Sequence, residues 1–466
     1  MDLESIKKVI KRYVSGHGEF QNHAWTAERY YRVKNDILFP CKRCEKGESE
    51  NPLRHADNRL PHSFYKLLVD QKVAYMFTTP PTFDVKNDTQ NAMIVHDLGD
   101  YYEKRCKDLA VNASNAGIAW VHYWMDPDSG FAWGVVPSSE VVPIWSPKLD
   151  HQLLAVLRVY RDFDDNGDVY DVYEYWNDTE CQAFRKRASD DIATGLTPWP
   201  CFTEFYDAGI SDSANTFVHH LDTVPFIPFG NNNLTSSDLD NVKPLIDAYD
   251  KTYSGFMNDL EDVQEVIFVL TNYGSEDLAP FLKNLKYYKA INVENNGNGD
   301  SSGVSTLTIE IPVEARDKML ELTRKSIFDM GQGIDPQQQG LDKTSGEAMK
   351  FLYALLELKA GMMETEFRLG FNKLVRAILQ AHGQQCQNII QTWTRTSIRN
   401  DAELVDMCSK SEGIISRKTI LKNHPFVDNV VDEEKELEDE EQKRQEQEDI
   451  YNDGGNKRGK GGEDDV

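Results

Sequence analysis

Apolar residues recur at helical spacing in the first quarter of the chain. They lie three or four positions apart from Ile6 to Val14, and Gly16 follows as a suitable C-cap, so this pattern predicts a short N-terminal helix. The same spacing predicts further helices over residues 22–33, 61–75 and 97–116. The N-terminal part of the chain is therefore expected to be helical.

From residue 117 the pattern changes to β-branched and aromatic runs. The runs GIAWVHYWM and FAWGVV are separated by DPDSG, and LLAVLRVYRDF and VYDVYEYW are separated by DDNGD. Such pairs around turn sequences are typical of β-hairpins, so residues 117–220 are expected to form an antiparallel sheet region. This region ends at VPFIPFGNNN, whose two prolines disfavour both a helix and a central strand.

Helical spacing returns in the second half of the chain. Residues 242–263 and 313–330 are predicted helices, and they frame a mixed unit at 264–311 that has two strand-like runs around a basic helix. The next sequence, GQGIDPQQQGLDKTSG, predicts an exposed loop because it is rich in glycine and glutamine and has few apolar groups. A long helix over 345–381, a strand, and two short helices over 402–422 are expected beyond it.

Composition narrows the class of protein. The chain has 466 residues, and 77 acidic against 51 basic side chains give a formal net charge of -26, which excludes a basic, non-specific nucleic-acid-binding protein. The 40% hydrophobic content excludes a mainly disordered chain. Residues 428–466 form an acidic tail whose glycine-rich end is expected to be disordered. We expect neither a membrane span nor a signal peptide, and therefore a cytoplasmic chain or one released by lysis.

Three motifs match functional sites only in part. GDSSG places Ser301 at the spacing of a hydrolase nucleophile, but a strand-like run follows where a helix is required, which favours a loop. Residues 162–167 imitate a calcium loop, although their flanks favour a hairpin turn. The helix pair around Gly413 could form a helix-turn-helix with Arg417 and Lys418, but the acidic tail that follows repels phosphate, so a packing role is favoured.

The seven cysteines are thinly spread, which suits reduced thiols rather than a disulfide framework. Cys41 and Cys44 have zinc-knuckle spacing, and His23 and His55 are further candidate ligands, but no second pair of this kind exists. Free thiols are therefore favoured over a zinc site. No phosphate-binding or dinucleotide-binding glycine motif is found, so we expect no metal, no cofactor and no nucleotide-driven motor.

Four segments resemble, in the same order, the portal proteins of tailed double-stranded DNA bacteriophages, in the branch typical of long, flexible-tailed phages. They are DNRLPHSFYKLLVDQKVAYMF at 57–77, VPFIPFGNNNLTSSDLDNVKPLIDAYDKTYSGFMNDLEDV at 224–263, SGEAMKFLYALLELKA from 345, and GIISRKTILKNHPFVDNVVDEEKELEDEEQKR at 413–444. The resemblance covers nearly the whole chain, and it implies an α+β, predominantly helical subunit with the wing, stem, clip and crown regions of the phage portal fold.

The resemblance also implies how the regions follow one another. The wing corresponds to 1–237 with its β-rich part at 117–220, the stem helices to 238–263 and 312–331, the clip to 264–311, the tunnel loop to 332–344, the long helix to 345–381, a wing strand to 382–399, the crown to 400–450, and a disordered tail to 451–466.

The implied function is structural and not enzymatic. In the family a dodecameric ring lies at one capsid vertex of the virion, terminase drives DNA in through it, and the DNA later leaves through it into the tail. The family also starts procapsid assembly with scaffold and major capsid proteins in the host cytoplasm, and its clip contacts terminase and then a head-completion adaptor. The other interpretations are a soluble acidic scaffold or regulatory protein that uses the long helix, and a serine hydrolase that uses Ser301.

Two groups of residues are candidate functional sites under this resemblance. In the tunnel loop they are Asp335, Gln337, Gln338, Gln339 and Lys343. An acidic wall repels phosphate, glutamines offer only weak and exchangeable hydrogen bonds, and a single lysine supplies a limited counter-charge. In the clip the candidate docking residues are Lys283, Lys286 and Lys289, which are three residues apart on the predicted basic helix, although a solvated helix face explains them equally well.

Overall fold

The computed structural model of the chain describes residues 2–39, 56–126, 130–200, 215–263, 267–271, 303–307, 312–337, 346–395, 401–427, 430, 433–441 and 443–444. The chain divides into two compact units. The larger comprises Met1–Gln337 with Tyr353–Arg395, and the smaller comprises Gln338–Leu352 with Thr396–Val466. Across these described ranges, no helix is long and apolar enough to cross a membrane.

Helices and strands alternate along the larger unit. The helices are α1 (Leu3–Tyr31), α2 (Phe64–Met76), α3 (Asp88–Leu98), α4 (Tyr102–Ala116), α5 (Ile192–Gly195), α6 (Lys243–Val263), α7 (Val313–Gly331) and most of α8 (Gly346–Ala381). The strands are β1 (Thr82–Asp84), β2 (Ile118–Asp126), β3 (Gly130–Val136), β4 (Val141–Trp145), β5 (Leu153–Phe163), β6 (Val169–Trp176), β7 (Glu180–Arg187), β8 (Thr197–Pro198), β9 (Thr216–Val218), β10 (Phe226–Gly230), β11 (Ile267–Thr271), β12 (Gly303–Leu307) and β13 (Ile390–Thr392). The predicted helices over 61–75, 242–263, 313–330 and 345–381 are confirmed.

The prediction that Gly16 ends the first helix is wrong. Helix α1 continues through Gly16 and Gly18, and its N-cap is Asp2, whose carboxylate accepts a hydrogen bond from the Ser5 amide at 2.7 Å. Its buried positions continue across the glycines, because His17, Ala24, Ala27 and Tyr30 pack after Ile6 and Ile10. Packing along the whole stripe therefore outweighs the cost of about 1 kcal/mol for each glycine in a helix.

The single helix predicted over 97–116 is also wrong, because a glycine divides it. Helix α3 ends at Leu98, Gly99 has a φ of 70°, and α4 begins at Tyr102. A left-handed residue cannot continue a right-handed helix, and glycine adopts it without a steric penalty. At the far end of α4, Gly117 has a φ of 82°, and a Cβ there would overlap the Thr235 carbonyl oxygen. Both glycines are required by the backbone.

The predicted antiparallel region is confirmed as two sheets. A three-stranded sheet has the order β10-β2-β3, and a six-stranded sheet has the order β4-β5-β6-β7-β8 with β9 paired to β7. The segment with two prolines forms β10 at the edge of the smaller sheet, where Pro228 lies opposite Trp120. Residues 162–167 are part of the β5–β6 hairpin, and Gly167 has a φ of 83° in its turn. The favoured hairpin explanation for that sequence is therefore confirmed.

Helix α8 lies in the main hydrophobic core with α2, α4 and the three-stranded sheet. Phe367 and Phe371 on α8 contact Phe229 of β10, each with ring centroids 5.1 Å apart. Gly370 lies between them, and a Cβ there would come within 2.5 Å of the Phe229 ring. The helix therefore approaches the sheet as closely as its backbone allows.

The smaller unit contains α9 (Asp401–Lys410) and α10 (Arg417–Asn423), as the spacing over 402–422 predicts. Helical residues at 433–441 follow, in the part of the acidic tail that the structure describes. Arg417 lies 3.5 Å from Glu441 and Lys418 lies 4.0 Å from Glu434. The two cations that suggested a helix-turn-helix are thus paired with the chain's own tail, which supports the packing explanation.

Two glycines on α8 provide a matched test of this packing. Gly361→Ala is expected to raise the free energy of unfolding by about 0.5–1 kcal/mol, because nothing lies within 4 Å of its Cβ position and alanine favours a helix. Gly370→Ala is expected to lower it by about 1–3 kcal/mol, because the new methyl group overlaps Phe229. Urea denaturation measures both, and equal shifts for the two variants would contradict the close packing.

Candidate functional site at the base of the predicted tunnel loop

The described part of the predicted tunnel loop, residues 332–337, is called the loop base here. It leaves α7 in a sharp turn, because Gln332 has a φ of 54° and the Gly333 amide donates to the Phe328 carbonyl at 3.0 Å. A Cβ at Gly331 or Gly333 would come within 2.5 Å of the Leu68 side chain on α2. The turn therefore lies directly against α2.

A side chain of α2 also binds the backbone of the loop base. The Gln71 amide group donates to the Ile334 carbonyl at 2.7 Å, and its oxygen accepts from the Ile334 amide at 2.9 Å. These two bonds satisfy both backbone groups of one residue, as a neighbouring strand would do. Ile334 is thereby held in place on α2.

An ion pair holds the next residue of the loop base to α7. The Arg324 guanidinium donates to both oxygens of Asp335, at 2.7 and 2.9 Å, and the Gln337 amide donates to the same carboxylate at 2.9 Å. The hydrogen bond from Arg324 lowers the pKa of Asp335, against the opposing effect of burial. This predicted channel residue is therefore ionised and already paired with a cation.

Beneath the loop base lies a buried charge cluster formed by Lys72, Asn231, Asp238 and Lys359. The Asp238 carboxylate lies 2.5 Å from Lys72 Nζ and 3.2 Å from Lys359 Nζ, and it accepts from the Asn231 amide group at 2.9 Å. Lys72 also donates to the Asn231 oxygen at 2.7 Å. Lys72 is only 1% exposed, so its charge is stabilised by these partners and not by water.

The pKa values of the buried charge cluster shift in directions that burial and pairing explain. Burial lowers the pKa of Lys72 to about 8, and the neighbouring Asp238 only partly opposes this effect. Burial acts to raise the pKa of Asp238, but Lys359 and Lys72 outweigh it and hold the pKa well below its usual range. At neutral pH the carboxylate is therefore ionised between two lysines.

Lys359 connects the buried charge cluster to the loop base. Its ammonium group donates to the Gly331 carbonyl at 2.9 Å, at the C-terminal end of α7. The last carbonyls of a helix carry partial negative charge, so this position suits the second lysine of a cluster that has only one carboxylate. The loop base is consequently held by α2 and α7, and α8 fixes the end of α7 from which it leaves.

The structure places the sequence-predicted residues unevenly. Asp335 and the exposed Gln337 belong to the loop base. The other named residues lie outside the described residues; they are Gln338, Gln339, Lys343, Lys283, Lys286, Lys289, Ser301, Cys41 and Cys44. Their predicted roles remain predictions.

The residues that hold the loop base were not predicted from the sequence, although the helical position of one of them indicates that it is buried. Lys72 lies at helical spacing from the buried Leu68, Val69 and Met76, so its position on the apolar face of α2 marks it as a buried lysine that needs a partner. Asp238, in contrast, lies in a polar loop sequence that nothing distinguishes locally. Its identification as the partner requires the fold.

Comparison with known proteins gives the family. The model of the family described as "Phage portal protein, SPP1 Gp6-like" matches residues 10–448. The chain belongs to this family of phage portal proteins. The portal protein of Clostridium phage phiCD119 is 40% identical over 455 residues, which cover 93% of this chain and 95% of that relative. The portal protein of Bacillus phage SPP1 is 30% identical over 434 residues, which cover 88% of this chain and 82% of the relative.

A solved structure described as the neck of a native GTA particle is also similar, with a TM-score of 0.42, 11% identity, and coverage of 77% of this chain and 88% of that one. The family membership confirms the resemblance and the α+β portal fold. It supports the structural role of a ring-forming portal protein at the capsid vertex of the virion, and it supports neither a serine hydrolase nor a soluble scaffold.

The buried charge cluster predicts a large effect of one substitution. Asp238→Asn is expected to lower the free energy of unfolding by about 3–5 kcal/mol, because two buried lysines then lose their carboxylate. Asp108→Asn, which removes the exposed partner of Lys104, is expected to lower it by less than about 1 kcal/mol. Denaturant titration at neutral pH compares them.

The pH dependence provides a second check on Asp238. Its folded pKa is depressed, so its stabilising contribution is present above the ordinary carboxyl pKa of about 4 and is lost as the pH falls through the folded value. The loss of stability on acidification should accordingly be smaller for Asp238→Asn than for the parent protein. Identical acid profiles for the two proteins would contradict the assigned ion pairs.

Proposed function

We propose that this portal protein forms a dodecameric ring and that residues 332–344 narrow its channel around double-stranded DNA. The observation that carries the proposal is the attachment of the loop base to α2 and α7, together with the bond from Lys359 of α8 to the last residue of α7. A loop that meets moving DNA needs a fixed base, and residues 338–345 begin directly after one. The channel role of Asp335, Gln337, Gln338, Gln339 and Lys343 rests on this arrangement.

The chemistry of the loop suits DNA that slides. The charge of Asp335 is neutralised by Arg324. The sequence that follows the loop base begins with the uncharged Gln338 and Gln339 and continues to the adjacent opposite charges of Asp342 and Lys343. Glutamine forms hydrogen bonds with phosphate that exchange readily with water, whereas a row of cations would hold DNA by counterion release. The net charge of -26 further limits adhesion of DNA to the ring.

Two contacts support the proposed stem and clip: one joins the ends of the two stem helices, and the other joins the two strands of the clip. Helices α6 and α7 are joined by an ion pair between Asp259 and Arg316, and Arg316 also lies over the Phe256 ring at 5.5 Å. Strands β11 and β12 pair from Ile267 opposite Leu307 to Thr271 opposite Gly303. The residues that flank segment 272–302, Thr271 and Gly303, are therefore strand partners.

The adjacent ends of segment 272–302 support a docking role for the clip. It carries Lys283, Lys286 and Lys289, which we assign to the binding of terminase during packaging and of a head-completion adaptor afterwards. Scaffold and major capsid proteins are the proposed partners at the start of procapsid assembly in the host cytoplasm. We keep the roles that the resemblance implies for each region: wing for 1–237, stem for 238–263 and 312–331, clip for 264–311, long helix for 345–381, wing strand for 382–399 and crown for 400–450.

Ring formation is the first expected outcome of this proposal. Electron microscopy of the purified protein should show closed rings with a continuous central channel, and native mass spectrometry of the same sample should give the dodecamer. A protein that stays monomeric or dimeric at micromolar concentration and in the presence of its scaffold protein would contradict the proposal.

Deletion of Pro336–Gly340 tests the loop itself. The deletion removes the Gln337 amide bond to Asp335 but keeps the contacts of Ile334 with Gln71 and of Asp335 with Arg324, so rings should still form. DNA packaging or ejection in infected cells should fall because the channel loses its narrow part. A variant with serine at positions 337, 338 and 339 keeps the length and neutrality of the loop and should remain active. Unchanged packaging and ejection by the deletion variant would remove the loop from the mechanism.

A further inference from the structure

A groove between α1 and β4 is separate from the loop base and from every residue assigned to the channel or the clip. It has a volume of about 500 Å³. Its apolar lining includes Phe20, Trp120, Val141, Pro143 and Trp145. Trp120 is fully buried, while Trp145, whose ring centroid lies 6.1 Å from that of Trp120, remains 38% exposed. Trp145 is thus partly exposed to solvent at the edge of an aromatic-lined groove.

A buried histidine supplies a polar atom in this lining. His17 is only 8% exposed, burial lowers its pKa, and a ring N–H donates to the Ser139 backbone carbonyl. A neutral imidazole has one donor and one acceptor nitrogen, so the other nitrogen is an acceptor. Within the described residues, Nε2 of His17 is buried and has no hydrogen-bond partner. A hydrogen-bond donor from outside the chain would satisfy it.

Helix α1 adds positive charge beside the groove. Lys8, Lys11 and Arg12 are exposed; Arg12 lines the groove, Lys8 lies one turn before it, and Lys11 is on the side of the helix opposite the groove. Among the described residues, none of the three forms an ion pair with a carboxylate. A cluster of unpaired cations in a chain with a net charge of -26 attracts negatively charged groups locally.

We propose that this groove docks an acidic segment of a partner protein, which inserts one tyrosine or tryptophan side chain. The aromatic ring packs between Phe20, Trp120 and Trp145, and its O–H or N–H donates to His17 Nε2. Flanking carboxylates pair with Arg12 and with Lys8 one turn away. Duplex DNA carries no group that enters such a groove unless a base is flipped out of the stack, so a peptide is the better fit.

The probe is a fluorescein-labelled peptide of sequence EDWDE, and its binding to the full-length protein is followed by fluorescence polarisation. EDADE lacks the aromatic anchor and KKWKK reverses the flanking charge. Each is expected to bind at least about tenfold more weakly than EDWDE. Equal binding of EDADE, or competition by N-acetyltryptophanamide at the same concentration as the peptide, would overturn the proposal, as would displacement by duplex DNA.

Two glycines of α1 give a matched pair of variants. Gly16 lines the groove and Gly18 is absent from its lining, and nothing lies within 4 Å of the Cβ position of either. Gly16→Leu should fill the groove and weaken EDWDE binding by at least about tenfold, whereas Gly18→Leu should stay within about twofold of the parent protein. Equal effects of the two variants would overturn the assignment of the groove.

Arg12→Glu is a further variant that does not depend on filling the groove. This exposed residue is not part of the core, so the variant should fold and lose EDWDE binding at low salt. Unchanged binding of EDWDE by Arg12→Glu would contradict the proposed contribution of charge to binding. Ring formation in the same samples separates this proposal from the dodecamer proposal. Intact rings without peptide binding refute only the groove, and bound peptide in a protein that forms no rings even with its scaffold protein refutes only the dodecamer.

Discussion

The ion pairs of Asp238 are the interaction on which the arrangement around the loop base depends. Burial of Lys72 on the apolar face of α2 is costly, and the carboxylate of Asp238 and the Asn231 amide offset that cost. The same carboxylate accepts Lys359 from α8, and Lys359 in turn binds the end of α7. One acidic side chain thereby sets the mutual distances of three helices.

The contacts at the loop base become more exposed and more polar from Gly331 towards Asp335. Leu68 packs against two glycines without space between them, Gln71 binds one backbone unit, and Arg324 binds Asp335 closer to the surface. This order gives the loop base a well-packed attachment to α2 and a polar attachment to α7. Helix α8 contributes from the other side, since its phenylalanines contact β10 and its Lys359 reaches α7.

Periodicity predicted most helices because their stability comes from a continuous buried face. It was wrong at Gly16 and Gly99 for opposite reasons: the buried stripe of α1 passes through Gly16, whereas Gly99 takes a left-handed conformation that divides α3 from α4. The identity of a glycine does not reveal its backbone angles. The spacing of β-branched and aromatic residues predicted the sheets, because alternation and turn sequences are local signals.

The candidate site was predictable only in outline. The resemblance located the loop, and the helical phase of Lys72 could have shown that it is buried. The partner of Lys72 lies far away in sequence, at Asp238, so only the fold brings the two together. The pairing of Thr271 with Gly303 has a consequence for modularity. Because a short ladder fixes the two ends of segment 272–302 and the entropy of loop closure changes only slowly with length, insertions in this segment should cost the rest of the protein little free energy.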